Sequence, residues 1–199
     1  MYKIGVTGGI GSGKSTLCHL FKDLGIAVYN SDSKAKELMN GDLEIRTQIV
    51  EAFGSESYVS GSLNREFLAE KVFGNNDNID LINSIVHPRV MADFENWALK
   101  QNSAYVILEC AILFESAFDK CVDKTLCVLS PKPLRIERII SRDNLTIDQI
   151  EKRMEAQFSD DKIDKLSDFC VVNIDLEDLE EAAKVFDKRF RYESERINN

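Results

Sequence analysis

Eight residues near the start of the chain, Gly8 to Ser15, constrain the fold more than any other stretch. They read GGIGSGKS and fit the pattern G-x-x-x-x-G-K-[S/T], in which glycines let backbone N–H groups close around an anion. Such a loop needs a strand before it and a helix after it. The apolar run 2–7 predicts the strand. The helix is predicted by apolar residues at helical spacing: Leu17, Leu20, Phe21 and Leu24. The sequence therefore predicts a Walker A loop that binds a nucleoside triphosphate.

The residue types inside this loop predict how a triphosphate and its metal ion would be bound. Lys14 is expected to reach the terminal phosphates, and the Ser15 hydroxyl is expected to ligate Mg²⁺. The helix that follows would add its unpaired N–H groups and the positive end of its dipole. The predicted nucleotide-binding residues are Gly9, Ile10, Gly11, Ser12, Gly13, Lys14, Ser15 and Thr16.

Four further apolar runs, 26–29, 105–108, 125–129 and 169–172, predict strands. They do not alternate with polar residues, as is typical of parallel strands covered on both faces. Helical patterns separate them, so the fold class is predicted to be α/β, with a five-stranded parallel sheet flanked by helices. We expect one domain spanning 1–199.

Helical signals also predict local features. From 33 to 97 the pattern is helical without a further strand, which indicates an insertion over the carboxyl edge of the sheet, where ligands bind. Pro88 suits the first turn of a helix and would place His87 at a turn. Thr146 and Gln149 match a capping box. Three glycines are predicted to end helices: Gly41, Gly54 and Gly74.

Charge and cysteine content exclude several classes of function. Twenty-five basic against 34 acidic residues give a net charge of −9, which argues against binding to nucleic acid or to anionic membranes. No apolar run approaches about 20 residues and no leader precedes the first strand, so a cytoplasmic protein is expected. The five cysteines include no C-x-x-C pair, which predicts free thiols, and with only His19 and His87 available no zinc site is expected. Three lie in strand-like runs and are predicted to be buried: Cys110, Cys127 and Cys170.

Two acidic residues follow predicted strands. Asp32 comes after the second strand, where its carboxylate could face the γ-phosphate and take the proton of an acceptor hydroxyl. It could equally cap a helix that begins at Ser33, and spacing leaves both interpretations open. Glu109 ends the third strand, the position of an acid that holds Mg²⁺ through water or contacts substrate. The alternative is an exposed glutamate at the end of a strand.

Arg135, Arg138 and Arg142 are spaced to share one helical face. Guanidinium groups can neutralise the charge of a phosphoryl group in transfer, and we favour that role for Arg138 and Arg142. The alternative is a solvated face paired with nearby acids. Spacing alone assigns no role to Arg65 or His87.

The remaining signatures narrow the class of nucleotide-binding protein. The D-x-x-G and N-K-x-D motifs of GTPases are missing from the sequence. A short chain with a helical insertion and a late arginine-bearing helical pair instead suits a small-molecule kinase of the P-loop kinase fold. The insertion 33–97 would hold the acceptor, and 132–165 would form a lid that excludes water. A nucleoside or nucleoside-monophosphate kinase is the main alternative, and a nucleotide-dependent regulatory switch is the alternative that is not an enzyme.

Over nearly its whole length the chain resembles the dephospho-CoA kinase family. The similar segments are 6–15, 30–32, 63–65, 72–73, 87–90 and 108–115, followed by Arg138, Arg142, Arg153, Gln157, Asp168 and Asn173. Asp32 falls on the acid credited as catalytic base in that family. The chain departs from the family at four positions, with Asn30 for an acid, Glu109 for aspartate, Ala111 for proline and Arg135 for glutamine.

The resemblance implies ATP-dependent phosphorylation of the 3′-hydroxyl of dephospho-CoA, giving coenzyme A and ADP. It implies catalytic roles for Asp32, Lys14, Arg138 and Arg142. Substrate contacts are implied for Asp32, Arg65, His87 and Glu109.

Overall fold

The computed structural model describes residues 1–72, 74–143 and 145–197. Phe73, which belongs to one of the family-like segments, lies outside the described residues. The chain divides into two compact units. The first comprises Met1–Asn30 with Trp97–Asn199, and the second is Ser31–Asn96.

A five-stranded parallel sheet forms the centre of the first unit, as predicted. The strands of the chain are β1 Tyr2–Thr7, β2 Ala27–Asn30, β3 Tyr58–Val59, β4 Ser62–Leu63, β5 Tyr105–Glu109, β6 Lys124–Leu129 and β7 Phe169–Val172. The large sheet has the order β2-β5-β1-β6-β7, and all of its pairings are parallel. Each of its strands begins and ends within one residue of the predicted run. This order sets β1 in the middle, so the loop that follows β1 leaves the centre of the carboxyl edge.

The helices are α1 Lys14–Asp23, α2 Ser31–Gly41, α3 Leu43–Phe53, α4 Arg65–Val72, α5 Asn76–Ala98, α6 Lys132–Asp143, α7 Ile147–Glu155, α8 Asp160–Leu166 and α9 Leu176–Ile197. Short 3₁₀ turns occupy Ser55–Ser57 and Phe118–Cys121. In the part of the chain that the structure describes, no helix combines the length and the apolar character needed to cross a membrane.

Aromatic packing joins the sheet to α1 and α9. Phe21 of α1 and Phe190 of α9 are fully buried and contact Tyr105 of β5, with ring centroids 6.4 and 5.5 Å from the Tyr105 ring. All five side chains of β5 are buried, which explains why its sequence is apolar without alternation. The Tyr105 hydroxyl donates to Asp187 of α9, so this buried phenol keeps a partner.

The second unit is not entirely helical, which corrects the expectation for this stretch. A two-stranded antiparallel hairpin, β3 with β4, interrupts the helices. Its two-residue turn consists of Ser60 and Gly61, which both have positive φ (51° and 83°). Positive φ at both positions is typical of the type I′ turn, which matches the twist of a hairpin. Two-residue strands are too short for hydrophobic alternation to reveal them.

The prediction of a helix start at Pro88 is wrong, because Pro88 and His87 both lie inside α5. A proline inside a helix costs about 3 kcal/mol. The same helix buries Val86, Val90 and Phe94, each no more than 5% exposed. Burying such side chains contributes about 1.5–3 kcal/mol apiece, so their packing outweighs the cost of the proline.

Helix ends mostly follow the sequence signals. Gly54 is the C-cap of α3 with φ 98°, and Gly74 follows α4 with φ 72°. Thr146 and Gln149 form the predicted capping box of α7. Gly41 is instead the last residue of α2 and has no left-handed conformation, since Asp42 directly caps the next helix.

Candidate active site

The predicted phosphate loop connects β1 to α1 at the carboxyl edge of the sheet. Gly13 is the N-cap of α1 and has φ 96°, a conformation that L side chains rarely adopt. A Cβ at this position would also collide with the amide of Asn173, which donates to the carbonyl of Ser12 (2.7 Å). The first turn of α1 contains no acidic residue, and its leading N–H groups have no partner within the helix. This is the arrangement that binds phosphate at a helix N-terminus.

Four residues, Lys14, Ser15, Asn30 and Glu109, meet beside the loop and are called here the Glu109 cluster. Glu109 is 5% exposed, and its Oε1 accepts a hydrogen bond from Ser15 Oγ (2.5 Å). Lys14 Nζ lies 3.9 Å from the same oxygen. Asn30 Nδ2 donates to the other carboxylate oxygen, Oε2 (2.8 Å). Glu109 is therefore not the exposed strand-end glutamate of the alternative interpretation.

Strand register explains why these residues meet. In the parallel pairing of β2 with β5, Asn30 stands opposite Glu109, and on the other side of β5 Val6 stands opposite Glu109. Three neighbouring strands thus end at the same level as the loop. The hydroxyl and carboxylate oxygens collected here are the hard donors that Mg²⁺ prefers, so the cluster fits this ion.

Arg135 of α6 contacts the phosphate loop. Its place on one helical face with Arg138 and Arg142 did not indicate this role. Its Nε donates to the carbonyl of Ile10 (2.8 Å), and its Nη1 reaches both carboxylate oxygens of Asp160 (2.7 and 2.8 Å). Gln157 accepts from the N–H of the same Ile10 (2.9 Å). A Cβ at Gly9 would collide with the Arg135 guanidinium. Residues of the predicted lid region therefore hold both backbone polar groups of Ile10.

The other two arginines of α6, Arg138 and Arg142, have partners different from those of Arg135. Arg138 donates to Ser130 Oγ (3.1 Å) and to the carbonyl of Ile174 (2.8 Å). Arg142 forms two hydrogen bonds to its neighbour Asp143 (2.7 and 2.8 Å). Seven residues of helix span about 10 Å, so Arg142 in the last turn of α6 lies about that far along the helix from Arg135, which contacts the loop.

The other three predicted site residues belong to the second unit. Asp32 is exposed in the first turn of α2, which begins at Ser31; the alternative of a cap on a helix starting at Ser33 is wrong. Arg65 is the exposed first residue of α4. His87 is half-buried in α5, and burial lowers its pKa below the ordinary value.

Sequence reasoning assigned no role to Asn30 beyond a departure from the family, and none to Asp160. Both act through contacts between residues distant in sequence, 79 positions for Asn30 and Glu109 and 25 for Arg135 and Asp160. For Asn30 the available signal was its place at the end of a strand beside the strand that carries Glu109. No sequence pattern indicated Asp160, because the two residues of an ion pair between helices have no fixed separation in the sequence.

The strand order and the lysine–serine–glutamate arrangement at the glycine loop together define a P-loop kinase. A family model described as Dephospho-CoA kinase matches residues 2–178. The chain is 40% identical over 179 residues to the Dephospho-CoA kinase of Salinibacter ruber, covering 87% of this chain and 89% of the relative. For the Dephospho-CoA kinase of Bacteroides fragilis the identity is 38% over 172 residues, covering 86% and 84%. The chain belongs to the dephospho-CoA kinase family.

Comparison with solved structures supports the fold. A crystal structure from Thermus thermophilus superimposes with a TM-score of 0.83 at 30% identity. The match covers 94% of this chain and 97% of that one.

Proposed function

We propose that this protein transfers the γ-phosphoryl group of ATP to the 3′-hydroxyl of dephospho-CoA, giving coenzyme A and ADP. The observation that carries the proposal is the Glu109 cluster beside the glycine loop, in a chain of the dephospho-CoA kinase family. Phosphoryl transfer depends on positioning the reacting groups and on electrostatic stabilisation of the transferred phosphoryl group. The Glu109 cluster supplies both next to the anion-binding glycine loop. We also propose the cytoplasm as its compartment, where free thiols such as the five of this chain persist.

At the donor end, the loop N–H groups and Lys14 would bind the ATP phosphates. Ser15 and Glu109 would hold Mg²⁺, directly or through water, in place of the hydrogen bond that they form with each other. When bound, Mg²⁺ neutralises charge on the phosphate oxygens. Arg135 and Gln157 would keep the loop closed around the phosphates by holding Ile10.

At the acceptor end, Asp32 would orient the 3′-hydroxyl and take its proton, as its place directly after β2 allows. The segment 33–97 would bind dephospho-CoA as the acceptor-binding subdomain. Arg65 and His87 are the side chains we assign to that task.

The region 132–165 would act as a lid over the nucleotide. Arg142 would leave Asp143 and turn to the transferred phosphoryl group, where its charge offsets the negative charge that spreads over the equatorial oxygens. Arg138 would act beside it from its position against Ser130 and Ile174. Closure would exclude water and so prevent hydrolysis of ATP.

A panel of acceptors tests the proposed reaction directly. The purified chain is incubated with ATP and Mg²⁺ and with dephospho-CoA, AMP or a nucleoside, and products are identified by mass. We expect one phosphoryl group to be added to dephospho-CoA alone. Phosphorylation of AMP or a nucleoside with dephospho-CoA inert would establish the alternative kinase class, and ATP binding without any acceptor-dependent ADP would indicate a regulatory switch.

Asp32→Asn tests the proposed base. General-base catalysis contributes about 10²–10⁴-fold, so turnover is expected to fall by that factor while ATP affinity stays unchanged. If Asp32 only interacts with the dipole of α2, the variant loses about 0.3–1 kcal/mol of stability and keeps its turnover. Turnover by coupled ADP release and stability by urea unfolding separate the two roles.

Arg142→Ala tests the lid arginine in single-turnover phosphoryl transfer. Loss of a charge that acts in the transition state should slow this step, with little change in ATP binding. Asp143→Ala is the matched control, because it removes the same ion pair but leaves the guanidinium available. The assignment fails if both variants transfer the phosphoryl group at the wild-type rate.

A further inference from the structure

A cluster of two cysteines and an aspartate lies on β6, β7 and α8 of the first unit. In the parallel pairing of β6 with β7, Cys127 stands opposite Cys170, so both side chains project from the same face of the sheet. Asp164 of α8 completes the group, and the three ligand atoms all lie within 4.8 Å of one another. Cys127 is buried, whereas Asp164 and Cys170 are exposed, so the cluster opens to solvent. The predicted burial of Cys170 is wrong, because β7 is the edge strand of the sheet.

The distances suit a small tetrahedral metal ion. Zn²⁺ binds thiolate at about 2.3 Å and carboxylate oxygen at about 2.0–2.2 Å, which sets tetrahedral ligand atoms less than about 4 Å apart. The three atoms therefore need to draw together by only about 1 Å or less, a shift that small side-chain rotations supply. The exposed side leaves room for water as a fourth ligand.

The chemistry of the ligands selects the class of ion. Two sulfurs and one carboxylate form a softer set than the all-oxygen donors beside the loop, and soft ligands favour zinc over Mg²⁺ or Ca²⁺. On binding, each S–H would lose its proton to solvent as its sulfur bonds to the metal.

We propose that Cys127, Asp164 and Cys170 form a zinc-binding site at the β6–β7 edge of the sheet. The ion would join α8 to both strands. The same helix begins with Asp160, which pairs with Arg135, the residue that holds the phosphate loop. The sequence predicts no zinc site and does not pair these two cysteines, because 43 positions separate them and only strand register brings them together.

The test uses the full chain, freed of metal and kept in a non-thiol reductant. Zn²⁺ is titrated by calorimetry, and Co²⁺ is used as an optical probe, because cobalt–thiolate bonds absorb in the near ultraviolet. We expect one ion per chain, release of protons on binding, and a rise in Tm with zinc concentration, because the ion binds only the folded site. None of these readouts depends on kinase activity, so they stand or fall separately from the proposed function.

Three variants assign the site. Cys170→Ser, at an exposed position, should weaken zinc binding by more than about tenfold and remove about half of the cobalt–thiolate absorption at saturating Co²⁺, because Cys127 remains as a ligand. Asp164→Asn should weaken binding while keeping that absorption. Cys121→Ser is the matched control, since Cys121 lies outside the cluster, and its zinc affinity should equal that of the wild type.

Protection against alkylation gives an independent result. Zinc should block modification of Cys170 by iodoacetamide, as read from peptide masses, without slowing modification of Cys121. The proposal is overturned if micromolar zinc does not bind, if Cys170→Ser binds zinc as tightly as the wild type, or if Cys170 is alkylated equally with and without zinc.

Discussion

Asn30→Asp is the sharpest test of the Glu109 cluster. The change replaces an N–H donor, 2.8 Å from Glu109 Oε2, by a carboxylate oxygen of almost the same shape. Losing a hydrogen bond to a charged group costs about 1.5–3 kcal/mol. Two unit charges at this separation repel by about 6 kcal/mol at an effective dielectric constant of 20. Side-chain movement relieves part of that repulsion, so we expect the variant to be less stable by about 2–6 kcal/mol at pH 8.

The loss should depend on pH with a definite sign. Two carboxyl groups in contact raise the pKa of one of them in the folded variant, because a shared proton removes the repulsion. The folded state then keeps a proton that the unfolded chain releases above the ordinary aspartate pKa of about 3.9. Stability is therefore retained at low pH and lost as pH rises through the raised folded pKa. The measurement is urea unfolding of wild type and variant at pH 5 and pH 8.

Two further variants isolate the cause. Asn30→Ala removes the donor without adding charge, so its deficit relative to wild type should be the same at both pH values. In the double variant Asn30→Asp/Glu109→Gln the hydrogen bond is reversed, with the new amide donating to the new carboxylate. Stability should return to within about 1 kcal/mol of wild type. The contact between residues 30 and 109 would be refuted if Asn30→Asp were as stable as the wild type at pH 8. It would also be refuted if the loss of stability were the same at pH 5 and pH 8.

Four further substitutions, two at the loop contacts and two in α9, test the loop contacts and the core. Arg135→Gln removes the ion pair with Asp160 and should weaken ATP binding several-fold in a nucleotide titration, because Ile10 loses its strongest partner. Asp160→Asn should lower the free energy of unfolding, measured in urea, by more than Arg135→Gln does. It leaves the Arg135 guanidinium, whose side chain is 6% exposed, without its counterion, whereas Arg135→Gln leaves the Asp160 carboxylate, whose side chain is 37% exposed. A larger loss for Arg135→Gln would contradict this account. Phe190→Ala should cost about 3–5 kcal/mol by the same assay, while Tyr192→Ala, at a 60% exposed position, should change stability by less than about 0.5 kcal/mol.

Local chemistry made the loop and the sheet predictable. A glycine pattern ending in lysine and serine has few structural solutions, and five unbroken apolar runs require a sheet covered on both faces. The capping box at Thr146 was equally readable, because its partners lie three residues apart. The hairpin β3–β4 and the long helix through Pro88 were missed, since a two-residue strand shows no periodicity and burial outweighed the local preference of proline.

The sequence by itself determined the phosphate loop, the α/β fold and the resemblance to one kinase family, because each follows from neighbouring residues or from motifs in order. Tertiary structure decided which side chains meet. Strand register set Asn30 against Glu109 and Cys127 against Cys170, and helix packing turned Arg135 onto the loop while Arg142 paired with Asp143. Three of these contacts join residues that are far apart in the chain, and the fourth distinguishes arginines that share one helical face. Their partners depend on how strands align and helices pack, which spacing does not encode.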